Sequence, residues 1–161
     1  MAVDMFINVQ GIKGESQDSK HKDEIDVLSW SWGASNSGSM ASGGGGGSGK
    51  VAVNDLSITK YVDKSSPELL KACASGSHIP QAVLTVRKAG GKSPLEYLKI
   101  TLYDFLVSSV STGASGGEDR LTENATFNFS KVNFSYVEQK ADGSAGANFP
   151  VTYDVKAHTV S

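Results

Sequence analysis

Apolar and polar residues alternate with a period of two along most of this chain, and no other feature narrows its fold as far. From Val27 onward, Leu28, Trp30 and Trp32 fall on one face while Val27, Ser29 and Ser31 fall on the other. Leu56, Ile58 and Lys60 alternate with Ser57, Thr59 and Tyr61. Ala82, Leu84 and Val86 alternate with Val83, Thr85 and Arg87, and Leu98, Ile100 and Leu102 with Lys99, Thr101 and Tyr103. Successive side chains of a strand point to opposite faces, so each run predicts a strand with one buried side. With a first strand over Val3–Val9 and a last over 151–157, the expectation is a mostly β protein.

The run 121–137 changes phase. Ala125, Phe127 and Phe129 occupy odd positions, then Val132, Phe134 and Tyr136 occupy even ones. A pleat cannot swap faces without an extra residue or a sharp bend, which places a bulge or corner near Ser130-Lys131. Corners of this kind occur where a strand leaves one sheet for another. One segment escapes the alternation. Ser66 as N-cap, Pro67 at the first helical position, Glu68 in the first turn and Gly76 as C-cap predict a helix over about 66–75. Its expected apolar stripe is Leu69, Leu70, Cys73 and Ala74.

At 161 residues the chain is the size of one domain, 1–161. Its 39% hydrophobic residues and eighteen glycines are an ordinary globular complement, which rules out disorder throughout. Fifteen Lys+Arg against seventeen Asp+Glu leave a net charge of −2, against the basic face that nucleic acid requires. Cys73 is the only cysteine, so neither an intrachain disulfide nor a multi-cysteine zinc site can form. The N-terminus lacks a charged region followed by an apolar stretch, so no cleaved leader is expected. Apolar stretches are of strand length, too short for membrane helices.

Several strings resemble catalytic or cofactor motifs and fail on context. Gly44, Gly49 and Lys50 fit a phosphate-binding loop, but Val51 stands where Ser or Thr should bind magnesium, and a strand rather than a helix follows. Gly113-Ala-Ser115-Gly-Gly117 fits a nucleophile elbow, yet it too leads into a strand, leaving Ser115 and His158 without the fold that chemistry needs. His21, His78 and His158 have no metal-ligand spacing. Glu118, Asp119 and Arg120 read as a turn with a local ion pair. No catalytic residue, cofactor site or metal site is therefore assigned. The glycine-rich stretch 35–49 reads either as a flexible hairpin tip or as a loop ordered only against a neighbouring subunit. Ser29, Ser31, Thr85, Thr101, Asn124, Thr126 and Asn128 form a weaker face, suited to solvent or to lining a wet channel.

One family shares the chain's distinctive strings. They are Met1-Ala-Val-Asp-Met-Phe-Ile, Lys13-Gly-Glu-Ser16, Glu24-Ile-Asp-Val-Leu-Ser-Trp-Ser-Trp-Gly33 and Ser37-Gly-Ser-Met40. Further strings are Asp55-Leu-Ser-Ile-Thr-Lys-Tyr-Val-Asp-Lys-Ser-Ser-Pro67, Val86-Arg-Lys-Ala-Gly-Gly91, Val107-Ser-Ser-Val-Ser-Thr-Gly113 and Gly117-Glu-Asp-Arg-Leu-Thr-Glu-Asn124. Over roughly residues 1–143 the chain resembles the haemolysin-coregulated proteins, tube subunits of the bacterial type VI secretion system. The resemblance implies a two-sheet β-barrel with one short α-helix, similar to phage tail-tube proteins, closing into hexameric rings. It also implies stacked rings propelled by a contractile sheath behind a spike protein, with small effector proteins carried in the lumen and no enzymatic activity. Such a subunit is bacterial, cytoplasmic before firing and extracellular afterwards. Relatives that carry a toxin domain place it after the barrel, and a chain stopping at Ser161 is expected to lack one.

On that basis Ser29 and Ser31 are the expected lumen or effector-binding residues. Met40, Gly43, Gly44, Gly45, Gly46, Gly47 and Lys50 are the expected ring-stacking or neighbour contacts. The rival readings are a monomeric β-sandwich ligand-binding module, for instance for carbohydrate, and a small hydrolase using Ser115 and His158.

Overall fold

The computed structural model describes residues 3–38, 51–88 and 94–161. Among these residues eleven strands and one helix follow in order: β1 Val3–Val9, β2 Ile25–Asp26, β3 Ser29–Ser31, β4 Ala34–Asn36, β5 Val51–Val53, β6 Leu56–Tyr61, α1 Ser65–Ser75, β7 Ile79–Lys88, β8 Glu96–Gly113, β9 Thr122–Gln139, β10 Ala145–Asp154 and β11 Thr159–Val160. The mostly β expectation holds. The last long strand starts earlier than the sequence pattern indicates, at Ala145.

The 18-residue strands β8 and β9 pair along nearly their whole length and belong to two sheets. Their outer halves, with β7, β1 and β2 on one side and β10 and β11 on the other, form the first sheet. The other half of β9 pairs with β6, and β6 with β3, to form the second. The segment 25–31 joins the two: Val27 donates its amide to Met5 of β1, and Leu28 donates to Thr59 of β6. That handover closes the barrel.

The expected change of phase lies at Ser130-Lys131, and of the bulge or corner expected there the structure has the corner. Phe105 faces Phe129 and Tyr103 faces Lys131 with no shift of register. Asp104 of β8 instead adopts φ 45°, a left-handed conformation that bends the strand in step with its partner. Both strands change face together, from Leu102 and Val132 to Phe105 and Phe129. The extra residue sits elsewhere, where the register shifts between Val107 and Ser109.

Apolar side chains from both sheets meet inside. Ile7, Leu84, Ile100 and Leu102 come from the first sheet, Leu56, Ile58, Ala125 and Phe127 from the second, and Leu69 of α1 joins them. Three expectations about faces are corrected. Handing the segment 25–31 from β1 to β6 breaks its alternation, so Val27 is buried, Leu28 is 39% exposed, and Trp30 and Trp32 pack half-buried against the core. The helix buries Ser65, Leu69 and Ala72, with Cys73 half-buried, while Leu70 is 59% exposed and Ala74 is exposed. Thr85, placed on the weaker face by alternation, is buried too.

Lys60 follows Leu56 and Ile58 into the interior, and Glu123 follows the parity of Ala125 and Phe127. The two are direct partners in the β6–β9 register, and their side chains form a buried ion pair. Lys60 Nζ also donates to Ser66 Oγ at 3.2 Å and lies 3.2 Å from Asp63. Ser66 Oγ accepts the Asp63 amide at 3.0 Å and donates to Glu123. Ser66 therefore ties the helix to this pair rather than capping it. The cap position is Lys64, without a side-chain bond, and Asp63 accepts the Ser65 amide at 2.8 Å. At the other end Gly76 supplies the expected left-handed C-cap at φ 64°.

Removing one partner of a buried pair strands the other's charge. Glu123→Ala is expected to lose about 3–5 kcal/mol in urea unfolding, whereas Lys60→Met with Glu123→Leu recovers most of that loss.

Candidate functional site

The second sheet turns one face to the core and the other outward, and the outward face is built almost entirely of small hydroxyls and amides. Register places Ser29 beside Thr59 and Ser31 beside Ser57. Thr59 in turn lies beside Asn124, and Ser57 beside Thr126. Across the next ladder Asn124 meets Ser111 and Thr126 meets Ser109. Four strands thus carry one band of short polar side chains, which follows from the period-two pattern because each has an apolar neighbour directed inward.

These groups bond to one another. Thr59 Oγ1 donates to Asn124 Oδ1 at 2.6 Å, and Ser109 and Thr126 hydroxyls lie 2.5 Å apart. Asp55 anchors one end, accepting from Ser108 Oγ at 2.6 Å and Asn128 Nδ2 at 2.8 Å. At the other end the Arg120 guanidinium lies 3.7 Å from the centre of the Tyr61 ring, in place of the ion pair expected of the 118–120 turn. The hydroxyls of this band bond to amides, to other hydroxyls and to the Asp55 carboxylate. The band suits weak, reversible contact through water.

Ser29 and Ser31, both exposed, sit on β3 at one margin of this band. The opposite margin is the end of β8, 106–113, which pairs with β9 on one side and carries no strand on the other among the described residues. Among the described residues the band therefore has two open edges. Met40, Gly43, Gly44, Gly45, Gly46, Gly47 and Lys50 fall between β4 and β5, outside the described residues. The strand β5 begins at Val51, as expected against a phosphate loop. Ser115 lies in the exposed turn between β8 and β9, again followed by strand. Among the described residues no cluster of three His, Cys, Asp or Glu is placed to hold a metal ion.

Each open edge is flanked by exposed apolar surface. Beside β3, Trp32 stacks on Phe134 at 6.0 Å, and Phe134 pairs with Val151 while Tyr136 pairs with Phe149. Phe149 is 57% exposed, with Tyr136 and Val151 at 43% each. Beside the end of β8, Val62, Pro67, Leu70 and Val110 line a groove with Glu123 at its margin. These flanks were missed from the sequence. Phe149 and Val151 alternate correctly, but nothing in a period of two says that the core ends before it reaches them.

The family model described as type VI secretion system effector, Hcp, matches residues 6–136. Protein hcp1 of Pseudomonas aeruginosa is 68% identical over 153 residues, covering 95% of this chain and 94% of its own. The crystal structure of Hcp1 from Salmonella typhimurium superposes with a TM-score of 0.83 at 44% identity, covering the whole of both chains. A solved structure described as a type six secretion system protein reaches 0.92 at 32% identity, covering 99% of this chain and 100% of its own. By fold and by sequence, this chain belongs to the Hcp family of type VI secretion proteins, whose members are secreted and form hexameric rings.

Proposed function

We propose that this chain is a structural subunit of the secretion tube, closing into rings through its two open sheet edges and turning its hydroxyl band to the lumen. The observation that carries the reading is that band, bordered on both sides by unpaired strand edges with apolar flanks. A closed ring needs two different, complementary surfaces on each copy. Pairing the β3 margin of one copy with the β8 margin of the next satisfies backbone groups that would otherwise template open-ended association. It would also bury Phe149, Val151 and Tyr136 against the Leu70 groove.

A lumen walled with short neutral groups leaves room for cargo and holds it through many weak bonds. Small effector proteins travelling in it, a spike protein at the tip and a contractile sheath outside complete the assembly. The subunit waits in the bacterial cytoplasm and leaves with the tube. Stacking is assigned to the loop carrying Met40, Gly43, Gly44, Gly45, Gly46, Gly47 and Lys50. Ordering such an arm costs about 1–2 kcal/mol per residue, so stacking should need high local concentration or a template.

Three measurements test this. Light scattering on the wild type should give about six times the 16.9 kDa chain mass, and Phe149→Glu should reduce it to one copy. A wild type that stays at one copy overturns the reading. Ser31→Arg and Asn124→Arg should each abolish co-purification of cargo with ring mass intact. Loss of rings in Ser31→Arg alone would move that edge residue from the lumen to the subunit contact. Gly44→Trp with Gly46→Trp should leave rings but prevent tubes in negative-stain images, and intact tubes would overturn the loop assignment.

A further inference from the structure

His21 is buried in the long connection between β1 and β2, 7% exposed, and both of its ring nitrogens face carboxylates. Nδ1 lies 3.0 Å from each oxygen of Glu24, three residues on in the same loop. Nε2 lies 2.6 Å from Oε1 of Glu96, at the start of β8. A neutral imidazole has one N–H and one lone pair, so it can serve only one ionised carboxylate; the doubly protonated ring serves both. The ring also stacks on Phe6 of β1, with centroids 4.5 Å apart and planes 9° from parallel.

The surrounding charges come from four elements. Asp18 and Glu24 belong to the same loop, Asp4 to β1, Arg87 to β7, and Glu96 and Lys99 to β8. Arg87 is itself bound by Asp18, at 2.6 and 3.1 Å, and by Asp4 at 3.1 Å, so its charge is matched before it reaches the imidazole. Lys99 lies 3.3 Å from Glu96. Burial opposes ionisation of Glu96, yet the bond from His21 and the charge of Lys99 outweigh it and hold its carboxyl below the usual value.

From this geometry we infer that His21 is a proton-dependent clasp, fastening the β1–β2 loop to the start of β8 only while its imidazole carries a positive charge. The loop has its own backbone ladder, with Gly14 donating to Asp23 and Ser16 to Glu24, so release loosens it without unfolding the sheet. What is lost on deprotonation is its link to β8. Stability from the clasp is thus present while the ring carries both protons and disappears when it gives one up, because a neutral ring bonds only one of the two carboxylates. This inference stands apart from tube assembly, since every group in it belongs to one chain.

Thermal unfolding at fixed protein concentration, from about pH 6 to about pH 9, tests it. Glu96→Gln supplies an amide that can donate to a bare Nε2, so neutral His21 keeps both partners. The wild-type Tm should fall relative to Glu96→Gln across this range by roughly 2–4 °C, the size of effect a single buried pair has in a domain this large. His21→Gln should be less stable than wild type at the acid end and converge on it at the alkaline end. Amides of residues 14–24, corrected for intrinsic rates, should exchange faster with rising pH in the wild type and not in Glu96→Gln. Parallel Tm curves for wild type and Glu96→Gln, with pH-independent corrected exchange, would overturn the clasp even if His21→Gln fails to fold.

Discussion

The continuous pairing of β8 with β9 through a corner is the constraint on which the rest of the molecule depends. Because Asp104 bends one strand opposite Ser130 of the other, the ladder turns without losing register, and one pair of strands founds two sheets. β7 and β10 can then add to one half and β6 to the other. If either strand turned alone, a register slip of one residue would throw Phe105, Phe127 and Phe129 to the outside. The core between the sheets exists because the two strands turn together.

The same corner creates the hydroxyl face. Beyond it no other described element covers the outward side of β8 and β9, and their hydroxyls and amides join those of β6 and β3 in one band. Among the described residues it is open at both margins, which is unusual for a stable sheet and is the feature on which the proposed assembly rests. Among the described residues, buried Lys60 pairs with Glu123, and Arg87 with Asp4 and Asp18. Such pairs fix geometry at the cost of desolvation. They lock the helix and the β1–β2 loop onto a sheet core that apolar packing alone would hold less specifically.

Much of this was legible in advance. The strands β1, β6 and β7 and the helix appear in the sequence near their true bounds, and the change of phase at Ser130-Lys131 marks the corner. Ser29 and Ser31 fall on the exposed face as alternation requires. The errors share a cause. Leu28, Leu70 and Thr85 were assigned by the period of their own segment, and each is decided by what lies across from it: the handover from β1 to β6, the width of the helix's contact with β8, and the depth of the first sheet. Lys60 and Glu123 carried a readable sign, since each continues an apolar parity, but a lone lysine in such a pattern is evidence only once its partner is known.

The sequence alone determined which residues can alternate, where the chain must turn, and where a helix can start and stop, because these depend on dihedral preference and spacing between near neighbours. Tertiary structure decided which strand meets which, that both nitrogens of His21 find carboxylates 3 and 75 positions away, and where the core ends and exposed apolar surface begins. Those outcomes are set by contacts between residues distant along the chain, and no local period encodes the identity of a partner that only folding brings near.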